Sequence, residues 1–245
     1  MANRKEDYQA RKDAVLGIVV NEYIKTVNPV SSGLIVQDYP LDVSSATIRN
    51  ILAELEEEGY LTHPHTSAGR IPTEQGYRYY VDYLMHEIRL LEEEKYRINK
   101  EYHREVRGLE KILEKTSEVI SDITQYTSII SVDGRRDKIF CRGTSFVVGY
   151  PEYQDLKKVK DILATLEEKE RLLEIINRNL EQKIQIYIGH ELACSDIESC
   201  SLAVSRYQFQ NGLSGRIAVL GPTRMNYQRV VSALEYVSEH MKEIL

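Results

Sequence analysis

Residues 61–80 read LTHPHTSAGRIPTEQGYRYY, and the first third of the chain is best understood outward from them. Positions 63–72 show no apolar periodicity and hold two prolines, a glycine, an arginine and four polar residues. An amphipathic helix pattern ends just before this stretch, and Thr73 with Glu74 gives a helix-start signal just after it. YLTHP reads as a short strand and GRIPT as its return, so positions 63–69 form a hairpin-like wing between them. Thr66, Ser67, Arg70 and the loop amides are donors suited to phosphate oxygens or the neighbouring minor groove, and His65 lies among them. His63 and His65 read as ordinary loop histidines. A zinc site usually needs four ligands, and no Cys or Asp stands at ligand spacing nearby.

Toward the N-terminus, Ala14, Val15, Ile18, Val19 and Tyr23 recur at helical spacing within residues 7–27. NPVSSG breaks that helix, and Ser31 or Ser32 can cap a short second one carrying Leu34, Ile35 and Val36. After the turn YPLDVSS, Ser44 caps a third helix, SATIRNILAELEEEGY. Its apolar stripe is Ile48, Ile51, Leu52 and Leu55, and Gly59 supplies the stop. Three short helices with tight turns describe a helix-turn-helix, which places the N-terminal half of the third helix in the major groove. That half carries Ser45, Thr47, Arg49 and Asn50, next to the cap Ser44. Arginine can hold guanine O6 and N7 together, and asparagine adenine N6 and N7. Glu54, Glu56, Glu57 and Glu58 crowd the far end, where phosphates would repel them, so the charge pattern selects the docking end. The bland alternative is a three-helix packing module with a solvated polar face. Three helices followed by a two-stranded wing make a winged helix.

The 245 residues suffice for one or two domains, and 42% hydrophobic with 29% charged residues describes a folded protein rather than a disordered one. A net charge of −6 argues against an indiscriminate polybasic nucleic-acid binder, while leaving room for a few placed arginines. No apolar run is long enough for a membrane span, and the N-terminus lacks the apolar core of a secretory signal. Cys141, Cys194 and Cys200 form no CxxC pair, which suits a reducing cytoplasm.

Residues 78–127 read as one long helix or two joined near Gly108. Leu84, Ile88, Leu91, Ile98, Leu109, Ile112 and Leu113 form an interrupted apolar seam. Two readings stand: a helix packed on its own domain, or a linker that also touches a second subunit. Beyond it, YTSIISV, KIFCRGTSFVV, KIQIYIG, SLAVSRYQF and GRIAVLGP read as strands. DLKKVKDILATLEEKERLLEIINRNLEQ reads as helical, and residues 226–245 as a terminal helix started by Thr223. The fold class is therefore α+β: a winged helix over 1–80, a helical linker or dimerisation segment over 81–127, and a strand-rich domain over 128–245. His190, Glu191, Ser195 and Asp196 are neighbours in one short loop and make no base-oriented nucleophile. GPTRMN lacks the Lys-Ser/Thr pair of a phosphate-binding loop. No catalytic residue, cofactor or metal ligand is expected.

The run VSSATIRNILAELEEEGYLTHPHTSAGRIPTEQGYRYYVD resembles the heat-inducible transcription repressor family, HrcA. IYIGHE, CSLAVSRYQF, GRIAVLGPTRMNYQRVVSALEYVSEHM and RGTSFVVGYPEYQDL resemble its later segments. The resemblance implies a GAF-like C-terminal domain, repression of chaperone operons through an inverted-repeat operator, and a chaperonin that promotes the active state. A lone recognition helix covers too few base pairs for useful discrimination, so a homodimer matched to the inverted repeat is expected. The chain departs from the family in length. SVDGRRDK stands where the family carries extra strands and an inserted dimerisation subdomain, and DGRR suits a tight turn there. The competing function is a small-ligand-sensing or protein-interaction regulator that uses the winged helix only for assembly and has no heat-shock role, and a sequence-selective, salt-dependent shift of an inverted-repeat duplex separates the two.

Overall fold

Val15, Leu16, Val19 and Val20 recur on one helical face and are all buried in α1 (Ala2–Thr26), the spine of the first of two units in the computed structural model. The structure describes residues 2–41, 43–64, 69–86, 90–103, 108–153, 155–178 and 182–243. The units are Met1–His86 and Glu87–Leu245.

In the first unit the expected caps form. The Ser31 hydroxyl accepts from Leu34 N–H at 3.2 Å and starts α2 (Ser32–Asp38), with Ile35 buried. Ser44 accepts from Thr47 N–H at 3.1 Å and starts α3 (Ser45–Glu57). Ile48, Ile51, Leu52 and Leu55 are buried on its inner face, each contributing about 1.5–3 kcal/mol by burial. Gly59, at φ +81°, ends the helix. Two short strands follow, β1 (Leu61–Thr62) and β2 (Ile71–Pro72), paired antiparallel as Leu61 with Pro72 and Thr62 with Ile71. Thr73 caps α4 (Glu74–Tyr79), which runs into a wider turn at Tyr80–Leu84. This is the winged helix expected from the sequence, with one addition. Val30 and Arg70 exchange backbone hydrogen bonds of 2.9 and 2.8 Å, so the segment between α1 and α2 joins the wing as a third edge.

The second unit starts with α5 (Glu92–His103) and α6 (Leu109–Thr124), the helices read as a linker. They are part of its fold: Ile98, Ile112 and Leu113 are buried there, Leu109 is half-buried, and Leu91 is 66% exposed. Three of the seven seam residues are therefore buried inside the unit. Leu84 falls in the first unit, and Ile88 lies outside the described residues. The strands are β3 (Thr127–Val132), β4 (Arg135–Arg142), β5 (Ile184–Ile188), β6 (Cys200–Gln208) and β7 (Ser214–Pro222). Between β4 and β5 come α7 (Phe146–Gly149), α8 (Leu156–Glu167) and α9 (Lys169–Ile176), and α10 (Tyr227–His240) follows β7. The five strands form one antiparallel sheet in the order β4-β3-β7-β6-β5.

One face of the sheet (Ile129, Leu202, Val204, Ala218 and Leu220) shares a core with Val159, Ile162, Leu166, Leu172 and Ile176 from α8 and α9. The other face meets α6 and α10 through small hydroxyl side chains. Ser205 bonds Ser238 at 2.9 Å, Ser201 bonds the Tyr227 hydroxyl at 2.9 Å, and Ser117 donates to the Ser128 carbonyl at 3.3 Å. Helices on both faces explain why all six residues of β3 are buried. Its sequence, TSIISV, mixes three apolar with three hydroxyl side chains, all of them buried.

Two local expectations change. The run read as one strand through Val148 stops at Arg142: Gly143 takes φ +77°, and Phe146–Gly149 forms a helical turn. The last helix is capped by Asn226, whose side chain accepts from Arg229 N–H at 3.0 Å, not by Thr223. The DGRR turn forms as expected. Val132 pairs with Arg135 across Asp133-Gly134, and Gly134 supplies φ +74°.

Candidate nucleic-acid interface

Ala46, Arg49, Asn50 and Ala53 lie at i, i+3, i+4 and i+7 on α3, and all four are exposed, opposite Ile48, Ile51, Leu52 and Leu55. Arg49 and Asn50 were expected on this face. The flanking alanines were not singled out, although the same 3.6-residue period marks them. Their short side chains keep the face flat, and an alanine methyl can pack on a thymine methyl.

The hydroxyls around the helix start are largely engaged in building it. Ser44 caps α3, and its Oγ lies 2.9 Å from Thr47 Oγ1. Ser45 and Thr47 are half-buried. Arg49 is different. Elsewhere in this unit Arg11 pairs with Asp7 at 2.8 Å, Lys25 with Glu22 at 3.0 Å, Arg70 with Glu56 at 2.7 Å and Arg78 with Asp82 at 3.2 Å. Lys12, only 7% exposed, pairs with Glu58. Among the described lysine and arginine side chains of the unit, Arg49 alone has no carboxylate partner, and its one hydrogen bond is Nε to Ser32 Oγ at 3.4 Å.

The acidic end of α3 is turned to the same construction. Glu54 accepts from the Tyr8 hydroxyl at 2.7 Å, which holds the Tyr8 pKa above its ordinary value. Glu56 takes Arg70 and His63, and Glu58 takes Lys12. Three of the four carboxylates thus tie the C-terminal end of α3 to α1 and the wing, leaving the N-terminal half as its open end.

The wing residues divide. His65, Thr66 and Ser67 lie outside the described residues. Arg70 was expected to face phosphate, yet its guanidinium is held by Glu56 with the side chain 24% exposed. The cause is the backbone bridge to Val30, which sets Arg70 against α3. Much of the GRIPTEQGYRYY run serves architecture in the same way. A Cβ on Gly69 would stand 2.5 Å from the Val30 carbonyl, and one on Gly76 2.1 Å from the Tyr60 oxygen. Thr73 Oγ1 donates to the Gly59 carbonyl at 2.6 Å. The Tyr80 hydroxyl donates to Asn21 at 2.9 Å, and that of Tyr79 to Asp13 at 3.1 Å. Arg70→Ala is therefore expected to lower the stability of this unit by about 1–3 kcal/mol, the worth of a charged hydrogen bond. Urea unfolding checks it. An unchanged midpoint with a flatter salt dependence of DNA binding would return Arg70 to a phosphate role.

In the second unit His190 lies 3.5 Å from Glu198, while Asp196 pairs with Arg171 at 2.7 Å and accepts from the Ser195 hydroxyl at 3.3 Å. Glu191 accepts from Ile188 N–H at 2.9 Å. These contacts stabilise a loop and do not align a base with a nucleophile. Among the described residues no group of three His, Cys, Asp or Glu side chains could hold a metal ion, and no helix is long and apolar enough to cross a membrane.

A family model described as HrcA protein C terminal domain matches residues 130–231. The heat-inducible transcription repressor HrcA of Pelotomaculum thermopropionicum is 30% identical over 334 residues, covering 96% of each chain. This chain belongs to the HrcA family. The HrcA of Carboxydothermus hydrogenoformans is likewise 30% identical, over 333 residues, covering 96% of this chain and 97% of its own. These alignments exceed the 245 residues here by 89 and 88, so both HrcA relatives hold at least that many positions without a counterpart in this chain. A solved structure described as a hypothetical protein superposes with a TM-score of 0.77 at 18% identity, covering 96% of this chain and 97% of that one, which extends the likeness in fold to both units.

Proposed function

We propose that this protein is a transcription repressor of the heat-inducible class that acts in the cytoplasm and reads duplex DNA with Arg49 and Asn50 of α3. The observation that carries the reading is the Arg49 side chain. It is exposed, lies on the N-terminal half of the recognition helix, and has no carboxylate partner in a unit whose other described lysines and arginines are paired. An unpaired guanidinium beside an exposed asparagine offers two bidentate base contacts on one helix face. Residues 1–80 are the DNA-binding domain in this reading. Ser45, Thr47 and the wing residues His65, Thr66 and Ser67 are backbone contacts that set the register.

One recognition helix covers too few base pairs to discriminate against a genome, so the operator is an inverted repeat and the bound species a two-fold dimer. The family resemblance extends the reading to chaperone operons and to a chaperonin that favours the active state. Selection from a library of random duplexes is expected to enrich an inverted repeat, with light scattering giving two chains per bound duplex. Enrichment of a single half-site with one chain bound would remove the dimer, and no enrichment at all would remove DNA reading.

A further inference from the structure

We propose that Ser32 is the positioning residue for Arg49: its hydroxyl holds the guanidinium by Nε and leaves both terminal nitrogens directed outward for one base. The proposal rests on the reading of Arg49 as a base-contacting side chain. Two adjacent serines open α2, and only Ser31 is used as its cap, by accepting from Leu34 N–H at 3.2 Å. The Ser32 hydroxyl takes no part in the cap. It reaches across the turn between α2 and α3 and accepts from Arg49 Nε at 3.4 Å. Two helices of the helix-turn-helix thus meet at the side chain that would read the base.

The chemistry of arginine gives this contact its consequence. The guanidinium has five N–H donors in a fixed fork, one on Nε and four on the terminal nitrogens. An acceptor on Nε leaves the end-on edge intact, and that edge matches two acceptors side by side, as on guanine O6 and N7. An unanchored arginine at this exposed site would lose rotamer freedom on binding and could reach neighbouring base pairs or phosphates instead. The anchor is neutral. It therefore sharpens base choice without adding to the count of phosphate charges neutralised.

The test uses full-length protein and duplexes selected by the wild type, each with single base-pair changes, in competition binding at several salt concentrations. Ser32→Ala is expected to lower discrimination about three- to tenfold, the worth of one net hydrogen bond, and only at the base pair where Arg49→Ala loses it. The slope of log affinity against log salt should match the wild type, and the double variant should discriminate no worse than Arg49→Ala alone. Ser32→Thr, which restores the hydroxyl, should recover most of the discrimination. Circular dichroism should be unchanged for all variants, because Ser31 still caps α2. If Arg49→Ala is unselective while Ser32→Ala stays fully selective, the positioning role is overturned and the base-reading assignment stands. If Ser32→Ala weakens all duplexes equally, the hydroxyl acts on the backbone and the role is again overturned. A fully selective Arg49→Ala removes both.

Discussion

Arg49→Ala and Asn50→Ala should each erase base preference at one position per half-site while leaving the unfolding midpoint of the protein unchanged. Both side chains project from the exposed face of α3, and neither contributes to the core formed by Ile48, Ile51, Leu52 and Leu55. Arg49 makes no ion pair whose loss would destabilise the fold, and its one internal contact is the 3.4 Å bond to Ser32. Loss of a bidentate base contact costs about 1–3 kcal/mol of discrimination, against near zero for folding stability at an exposed site without special features. Competition binding with single base-pair variants reads the first quantity and urea unfolding the second. Selectivity that survives both substitutions would place the recognition face elsewhere.

Gly76→Ala is expected to be the most damaging single-methyl change in the first unit. The added Cβ would stand 2.1 Å from the carbonyl oxygen of Tyr60, and the nearest groups are backbone that cannot swing away. The same carbonyl accepts from Thr73 N–H at 3.1 Å, so α4, its cap and the start of β1 would have to separate together. Overpacking costs about 1–3 kcal/mol and occasionally more, and a backbone clash this short belongs at the upper end. Gly17→Ala is the matched control. It lies inside α1 with no atom within 4 Å of the added methyl, so helix propensity should raise stability by about 0.4–1 kcal/mol. Denaturant unfolding of the pair should move in opposite directions. Equal shifts would mean that the close approach of α4 to Tyr60 does not hold in solution.

What could be read along the chain and what could not divides by the range of the interaction. Ser44 was legible as a cap, Ser31 as one of two candidates with Ser32, and Thr73 as a helix start, because each bonds an amide three residues away, and the stripe of α3 because one helix face repeats every 3.6 residues. The tight turn at Asp133-Gly134 was equally local. The ion pair of Arg70 was not legible because its partner, Glu56, comes from the preceding helix, and the bridge to Val30 joins positions forty residues apart with no side-chain pattern to announce it. Gly69 and Gly76 looked like loop and helix residues, yet each is a point of close backbone approach to a distant segment. The strand expected through Val148 drew on Phe146, Val147 and Val148, whose β preference is overridden once Gly143 turns the chain. The seam over 84–113 showed its apolar spacing faithfully. It carried no mark of whether the covering surface was a second subunit or, as found for Ile98, Ile112 and Leu113, the same unit.

The central claim is that Arg49 reads a base in the major groove, and guanine N7 is the atom on which it can be tested most directly. In the inverted repeat selected by the wild type, each guanine is replaced in turn by 7-deazaguanine, which removes the N7 acceptor and keeps Watson–Crick pairing. The account predicts that one symmetric guanine per half-site loses about tenfold or more in wild-type affinity, and that Arg49→Ala is indifferent to the same replacement. Wild-type binding that tolerates every replacement, or an Arg49→Ala protein that suffers the same loss, would contradict it.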